Sequence, residues 1–273
     1  MTRTLLALSA ALLLGTAARA GDGPHVQARL IVAGAQVTPG AELELGLVLT
    51  VAKGWHVYWR HPGESGAAPE LELTLPAGLE RAGDLRWPAP TRLVIPGDMV
   101  NHVYEGEVTL LVPVRVSAEA QPGPLVLRGR ASWLVCDADV CVGEEAPVAL
   151  TLEVVPAPAA DAGQDAADAE RLRRARATLP RPPAQGELEL AWEGTTLRLT
   201  VPGARELTFF PATPEAHLPR DLATACHAEG QALRLTWPDA ARGAQVSGHL
   251  RAKVGQDEVH LWVETPGPDA GAR

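Results

Sequence analysis

The sequence predicts an all-β protein in two domains, each an antiparallel sandwich or barrel. Three observations predict it. Apolar residues recur at every second position in six runs, Gly and Pro (26 and 24 of 273 residues) cluster between the runs, and the pattern stops only between Pro156 and Gly186. Alternation at period two places one apolar face against a core. Many short alternating runs divided by turn residues suit sandwiches and barrels. The length accommodates one large or two modest domains with real cores.

Met1 to Ala20 reads as a secretory signal: Arg3 supplies a positive start, Leu5 to Leu14 a short apolar core, and Ala18-Arg19-Ala20 a small-x-small cleavage pattern. That apolar run is too short to span a bilayer, and no later stretch approaches 18 apolar residues. The expectation is therefore an exported chain with no membrane span. A first β domain is expected over residues 24–156. Its strands include Leu43 to Val51 and Val108 to Val116, with Leu125 to Val135 and Val148 to Val155 as arms around a polar turn. Residues 157–185 read as a linker in which Ala166 to Ala177 forms one charged helix, stopped by Pro180 to Pro183. A smaller β domain follows over 186–265, with strands at Leu188 to Trp192, Leu197 to Val201, Leu233 to Trp237 and Val259 to Val263. Residues 266–273 form a frayed tail.

The net charge of -9 argues against a nucleic-acid partner, since no broad basic surface is available to neutralise phosphates. Ser65 and Ser132 have no nucleophile-elbow context, and no phosphate-cradling glycine motif precedes a helix. Hydrolase and nucleotide chemistry fall away. Three cysteines exclude a disulfide-dense scaffold but leave one pair and one odd thiol.

The pair is the strongest local feature. In Trp133-Leu134-Val135-Cys136-Asp137-Ala138-Asp139-Val140-Cys141, four residues between the cysteines let a hairpin place them opposite each other. Cα atoms across an antiparallel pair lie about 4.5–5.5 Å apart, inside the window for a disulfide. Asp137 and Asp139 sit beside the sulfurs, disfavour the thiolate, and make the pair a poor spontaneous attacker. Such a pair exchanges electrons only with a partner that brings an activated thiolate. Spacing alone leaves a structural staple and a redox pair equally open. A soft metal held by both thiolates and His56, His61 or His102 is a third reading, without diagnostic spacing. Cys226, in the loop-like stretch Pro219 to Gly230, reads as a buried bystander.

Residues around the pair add to this. Gly54-Trp55-His56-Val57-Tyr58-Trp59-Arg60-His61-Pro62-Gly63-Glu64-Ser65-Gly66 is followed by Pro69-Glu70-Leu71, Trp87-Pro88-Ala89-Pro90, Asn101-His102-Val103-Tyr104-Glu105-Gly106-Glu107 and the cysteine segment. In this order the motifs resemble the periplasmic N-terminal domain of the thiol:disulfide interchange protein DsbD and its relatives ScsB and DipZ. Phe209-Phe210-Pro211-Ala212 resembles the second part of the longer members. The resemblance implies immunoglobulin-like folds, a redox role for Cys136 and Cys141, and no organic cofactor. It also implies a membrane-embedded electron donor and thioredoxin-fold partners in the periplasm. Larger members continue into membrane and thioredoxin domains that this sequence lacks, so the donor is expected to be separately encoded. Copper handling, to which some relatives are linked, and a non-catalytic binding module with a structural disulfide are the rival readings.

Within the Gly54–Gly66 motif, Trp55, Val57 and Trp59 are expected in the core, and Arg60 and Glu64 as a surface pair. Tyr58, His102 and Tyr104 are candidates for a polar-tipped aromatic cover over the sulfurs, with Asp137 and Asp139 on the partner-facing rim.

Overall fold

The computed structural model describes residues 24–157, 165–212, 218–239 and 243–268. The expected signal segment lies outside the described residues. No helix among those described is long and apolar enough to cross a membrane.

The chain is all-β, and its first half is a two-sheet sandwich. One sheet runs in the order β1 (Val26–Ile31), β3 (Glu42–Val51), β9 (Glu107–Val116), β6 (Leu79–Arg81). The other runs β2 (Gln36–Val37), β11 (Cys141–Val154), β10 (Gly123–Cys136), β4 (His56–Gly63), β8 (Met99–Tyr104), β7 (Thr91–Ile95), with β5 (Glu70–Thr74) also paired to β10. The alternating residues do what their period predicts. Leu45, Leu47, Leu49, Leu110, Val112 and Val114 from the first sheet share buried clusters with Val57, Trp59, Leu127, Trp133 and Val135 from the second.

The outer face of β3 and β9 is covered as well. Helix α1 (Ala166–Ala177) occupies the span expected for it, but it packs onto this sheet through Leu172 and Ala175, against Ile31, Val48 and Leu111. Gly46 makes the close approach possible: a Cβ there would lie 2.7 Å from Ile31 and 3.0 Å from Leu172. Asp165 caps the helix by accepting from the Ala167 and Asp168 amides, and Arg29 grips Asp168 through two hydrogen bonds.

The second half is a smaller sandwich. A three-stranded sheet, β12 (Glu189–Glu193), β13 (Thr196–Thr200) and β16 (Ala232–Thr236), faces a four-stranded one. That sheet runs β15 (His227–Glu229), β14 (Ala204–Pro211), β17 (Gln245–Val254), β18 (Asp257–Pro266), and a one-turn helix α2 (Leu222–Ala225) precedes β15. The expected strands of this half are all present, three of them within one residue, while the last extends from the expected Val259–Val263 to Asp257–Pro266 and takes Pro266 out of the expected tail. Cys226 is fully buried in its core beside Leu222, and burial pushes the thiol up to about 12, so it is inert as a nucleophile.

Neighbouring phenylalanines on β14 bind the halves together. Phe209 belongs to the core of the second sandwich, whereas Phe210, pointing the other way, belongs to the core of the first. Burying Phe210 contributes roughly 1.5–3 kcal/mol. Around it pack Trp59, His102 and His249, with ring centroids 5.3–6.4 Å apart. Arg60 and Glu64 do not pair. Arg60 lies over the Trp262 ring at 5.6 Å, and the Glu64 carboxylate accepts from the Val100 amide at 2.6 Å. Long-range packing offered each a better partner than the other.

Candidate functional site

The site begins with the β10–β11 hairpin. Its strands pair in unbroken register from Gly123↔Val154 to Cys136↔Cys141, so the cysteines close the ladder. Their Cα atoms are 4.1 Å apart and the sulfurs are bonded at 2.06 Å. The second arm starts at Cys141, not at Val148 as its polar composition suggested. The reason is that Val142 to Pro147 forms strand with one face open to solvent, while Glu144 turns inward. Its carboxylate accepts from the His25 and Val26 amides, the His25 ring and the Trp133 indole N–H, pinning the start of β1 to the hairpin. Burial pushes Glu144 up, but these hydrogen bonds outweigh it and hold the carboxyl below its usual value.

Asp137 closes the turn. Its carboxylate accepts from the amides of Asp139 and Val140, both at 2.8 Å, and these bonds lower its pKa and keep it ionised. The two sulfurs have unequal surroundings. Cys136 is only 2% exposed and clusters with Tyr58 and Val103, whereas Cys141 is exposed. The Tyr58 hydroxyl donates to Cys136 Sγ at 3.1 Å. Burial raises the Tyr58 pKa, so the phenol stays protonated and remains a donor.

A pocket of about 460 Å³ opens beside the disulfide. Its floor includes Cys136, Cys141, His56 and Tyr58, its acidic rim Asp137, Asp139 and Glu105, and its wall the β7 residues Leu93, Val94 and Ile95 with Pro96. Val94 and Val140 are 44% and 49% exposed, unusually open for aliphatic side chains beside a polar turn.

Of the proposed aromatic cover, the structure brings Tyr58 to the sulfurs and not His102 or Tyr104. Tyr58 pairs with Val103 across β4 and β8, so Val103 and Asn101 share its face and residues 102 and 104 point the other way. The Tyr104 hydroxyl donates to the Pro88 carbonyl at 2.7 Å inside the sandwich. His102 is fully buried against Trp59 and Phe210, with Nδ1 2.9 Å from the His61 carbonyl. Sequence reasoning named His56 only as one of three candidate metal ligands, whereas it stands opposite Cys136 in register, and it missed the apolar wall from Leu93 to Pro96. His56 lay inside the quoted motif; the wall gave no signal beyond ordinary strand residues. Burial lowers the His56 pKa, against the pull of Glu105 and Asp137, so the ring beside Cys136 is neutral at neutral pH.

Among the described residues, no group of three or more His, Cys, Asp or Glu side chains is placed to hold a metal ion.

Comparison with known proteins gives three results. A sequence model of the thiol:disulfide interchange protein DsbD N-terminal family matches residues 27–153. The N-terminal periplasmic domain of ScsB from Proteus mirabilis superposes with a TM-score of 0.60 at 18% identity, covering 90% of this chain and 96% of that one. Other solved structures align more loosely. The Escherichia coli chaperone DraB gives a TM-score of 0.26 at 11% identity, covering 88% of this chain and 98% of its own. A cohesin–dockerin complex from Clostridium thermocellum gives 0.29 at 13%, covering 47% and 99%. No curated protein matches by sequence.

Proposed function

The chain carries a DsbD N-terminal-like domain over residues 27–153, and from that premise we propose that it is a periplasmic thiol–disulfide exchange module working through Cys136 and Cys141. The observation that carries the reading is the asymmetry of the bonded pair: one sulfur open beside a pocket, the other buried under a hydroxyl donor.

The mechanism follows from that asymmetry. An incoming thiolate attacks Cys141 Sγ in line with the S–S bond. The new mixed disulfide forms as the old bond breaks, and the electron pair leaves on Cys136 as a thiolate that accepts the Tyr58 hydrogen bond. When the module is reduced the same path runs backward. Cys141 attacks the partner's disulfide, and Cys136 then attacks Cys141 Sγ, closing the intramolecular bond and releasing the partner as a thiol. Either direction places the mixed disulfide on Cys141, because a protein-sized partner cannot reach a sulfur that is 2% exposed. No organic cofactor takes part.

Thioredoxin-fold proteins are the proposed partners, and a separately encoded membrane-embedded protein the electron donor. The apolar wall and Val140 give such a partner a patch to cover, while the acidic rim repels small anionic thiols. Export by the Met1–Ala20 segment would bring the chain to the compartment where these partners work.

Two single variants test this. Cys136→Ser leaves an accessible Cys141 thiol with no resolving partner, so it should accumulate mixed disulfides with thioredoxin-fold proteins, whereas Cys141→Ser should accumulate few. Equal trapping by both, or a pair that stays oxidised across all redox buffers in the folded protein, sinks the reading. Survival of in vivo function in a double Ser variant would instead favour a binding module with a staple.

A further inference from the structure

We propose that the second sandwich acts as a latch on the β7–β8 hairpin, holding it against the disulfide, with Arg92 as the positioning residue at the junction. The inference rests on the reading of Cys136–Cys141 as the exchange site and assigns the second domain a task in it.

The hairpin has a front and a back. On the front, Leu93, Ile95 and Asn101 line the pocket beside the sulfurs. On the back, Val100 is fully buried in the core cluster of the second sandwich, together with Leu222 and Cys226. The Arg92 guanidinium donates to the Ala223 carbonyl of α2. One β-hairpin therefore belongs to the redox pocket on one side and to the neighbouring domain on the other.

Its hold on its own sheet is slight. β7 ends the sheet and pairs with β8 alone. β8 meets β4 at Tyr104↔Val57 and Val103↔Tyr58, then the register shifts before Asn101↔Gly63. An edge hairpin with so few pairings is among the first units to open locally. Beyond those pairings β8 is held by hydrogen bonds with Glu64 and Ser65 and by the buried His102 and Tyr104, and the contacts to α2 add to these at the hairpin's back.

A continuous set of contacts joins the latch to the sulfur. Glu64 binds the Val100 backbone twice, its amide donating at 3.0 Å and its carboxylate accepting at 2.6 Å. Ser65 donates from both amide and hydroxyl to the Asn101 side chain, at 3.2 and 3.0 Å. Gly66 follows with φ of +100°, so close to Tyr58 that a Cβ there would fall 2.2 Å from the ring. Tyr58 in turn donates to Cys136. Proximity along such a path is not coupling by itself. The physical claim is narrower: loosening α2 from Arg92 and Val100 raises the population of an open hairpin, which widens the pocket around the bond and uncovers Cys136 beside the already exposed Cys141.

The test uses the full oxidised chain and reduction by dithiothreitol, whose first thiolate displaces Cys136 from Cys141 and whose second thiol closes its own ring and frees Cys141. Arg92→Ala should speed reduction about tenfold, the factor by which losing the latch shifts the open–closed ratio. Hydrogen exchange should accelerate over residues 91–104. Arg92→Lys, which keeps a cationic donor, should restore most of the parent rate. Leu222→Ala weakens the same junction from the other domain and should act in the same direction. Alkylation of Cys226 is the control, because that thiol is exposed only if the second sandwich itself opens.

Faster reduction with Cys226 still protected supports the latch. Rates within twofold of the parent in both Arg92→Ala and Leu222→Ala overturn it, and so does a rise that merely tracks Cys226 labelling. The two readings fail separately. If dithiothreitol responds as expected but no thioredoxin-fold protein exchanges with the parent, the latch stands and the proposed function falls.

Discussion

Strands β4, β8 and β10 present two faces of one backbone, and the faces serve opposite ends. On the open face stand His56, Tyr58, Asn101, Val103 and Cys136, around a bond that must be reached. On the closed face stand Val57, Trp59, Val100, His102, Tyr104 and Val135, sealed in the sandwich or under the second domain. The open face keeps its polar groups partnered through Tyr58 and Asn101. The closed face leaves Trp59 Nε1, His61 Nε2 and His102 Nε2 buried without a partner, and Nδ1 of His249, which packs on it from the second sandwich, is buried without one too. Burial without hydrogen bonds costs free energy, so beyond the Tyr104–Pro88 and His102–His61 bonds the closed face holds by ring packing, whereas the open face relies on hydrogen bonds to position a sulfur.

The hardest blow to that division is Trp59→Ala. Trp59 is 1% exposed and touches His61, His102, Phe210 and His249. Removing it should cost about 3–5 kcal/mol of unfolding free energy, the usual loss for a buried aromatic truncated to Ala. Urea unfolding reads this directly. A loss below about 1 kcal/mol, the level of a surface change, would mean that the two domains are joined by something other than these rings.

Acid attacks the same face more gently. Burial lowers the pKa of His102 to about 4 and that of His249 to about 3, with the charges of His61 and Arg92 adding to it at the first and His260 and Arg251 at the second. Above the unfolded value near 6.5, both states are neutral and stability is flat with pH. As pH falls below 6.5, the unfolded chain binds protons that the folded protein still refuses. Stability is therefore lost downward through the window from about 6.5 to 4, at up to about 1.4 kcal/mol per pH unit for each ring. His249→Leu should flatten that slope. An unchanged slope would show that other groups govern the acid response.

How far these faces were legible follows from the same geometry. The alternation of Leu43 to Val51 and Val108 to Val116 is local, and so is the spacing of Cys136 and Cys141; strands and disulfide could be read directly. Tyr58 came with its motif. The polar-tipped rings of His102 and Tyr104 suit a cover over the sulfurs, but nothing local says which face of β8 meets which face of β4. That choice is made by the Tyr58↔Val103 register, set between segments 45 residues apart in sequence, and a one-residue slip exchanges the faces. The docked position of α1 was equally hidden, since it depends on Gly46 leaving room on a sheet far away in sequence. The redox role itself was visible only through the order of several motifs, because a four-residue spacer between two cysteines serves a staple equally well.

The finest probe is on the open face. Tyr58→Phe removes one hydroxyl and leaves the ring on Gly66, so the fold should lose no more than about 1 kcal/mol, the net worth of one neutral hydrogen bond. The chemistry should respond more clearly. The hydroxyl stabilises the Cys136 thiolate as it leaves, and without it that thiol's pKa should rise by roughly one unit. A poorer leaving group departs more slowly, so attack at Cys141 should slow several-fold, on the order of three, given a Brønsted dependence near one half. Stopped-flow reduction and thiol titration read rate and pKa separately. If both stay at the parent values while stability drops, Tyr58 is a packing residue, and the open face is simply a thinner version of the closed one. If both move while stability holds, one alternate position along β4 separates the side chain that tunes the bond from the side chain that carries the fold.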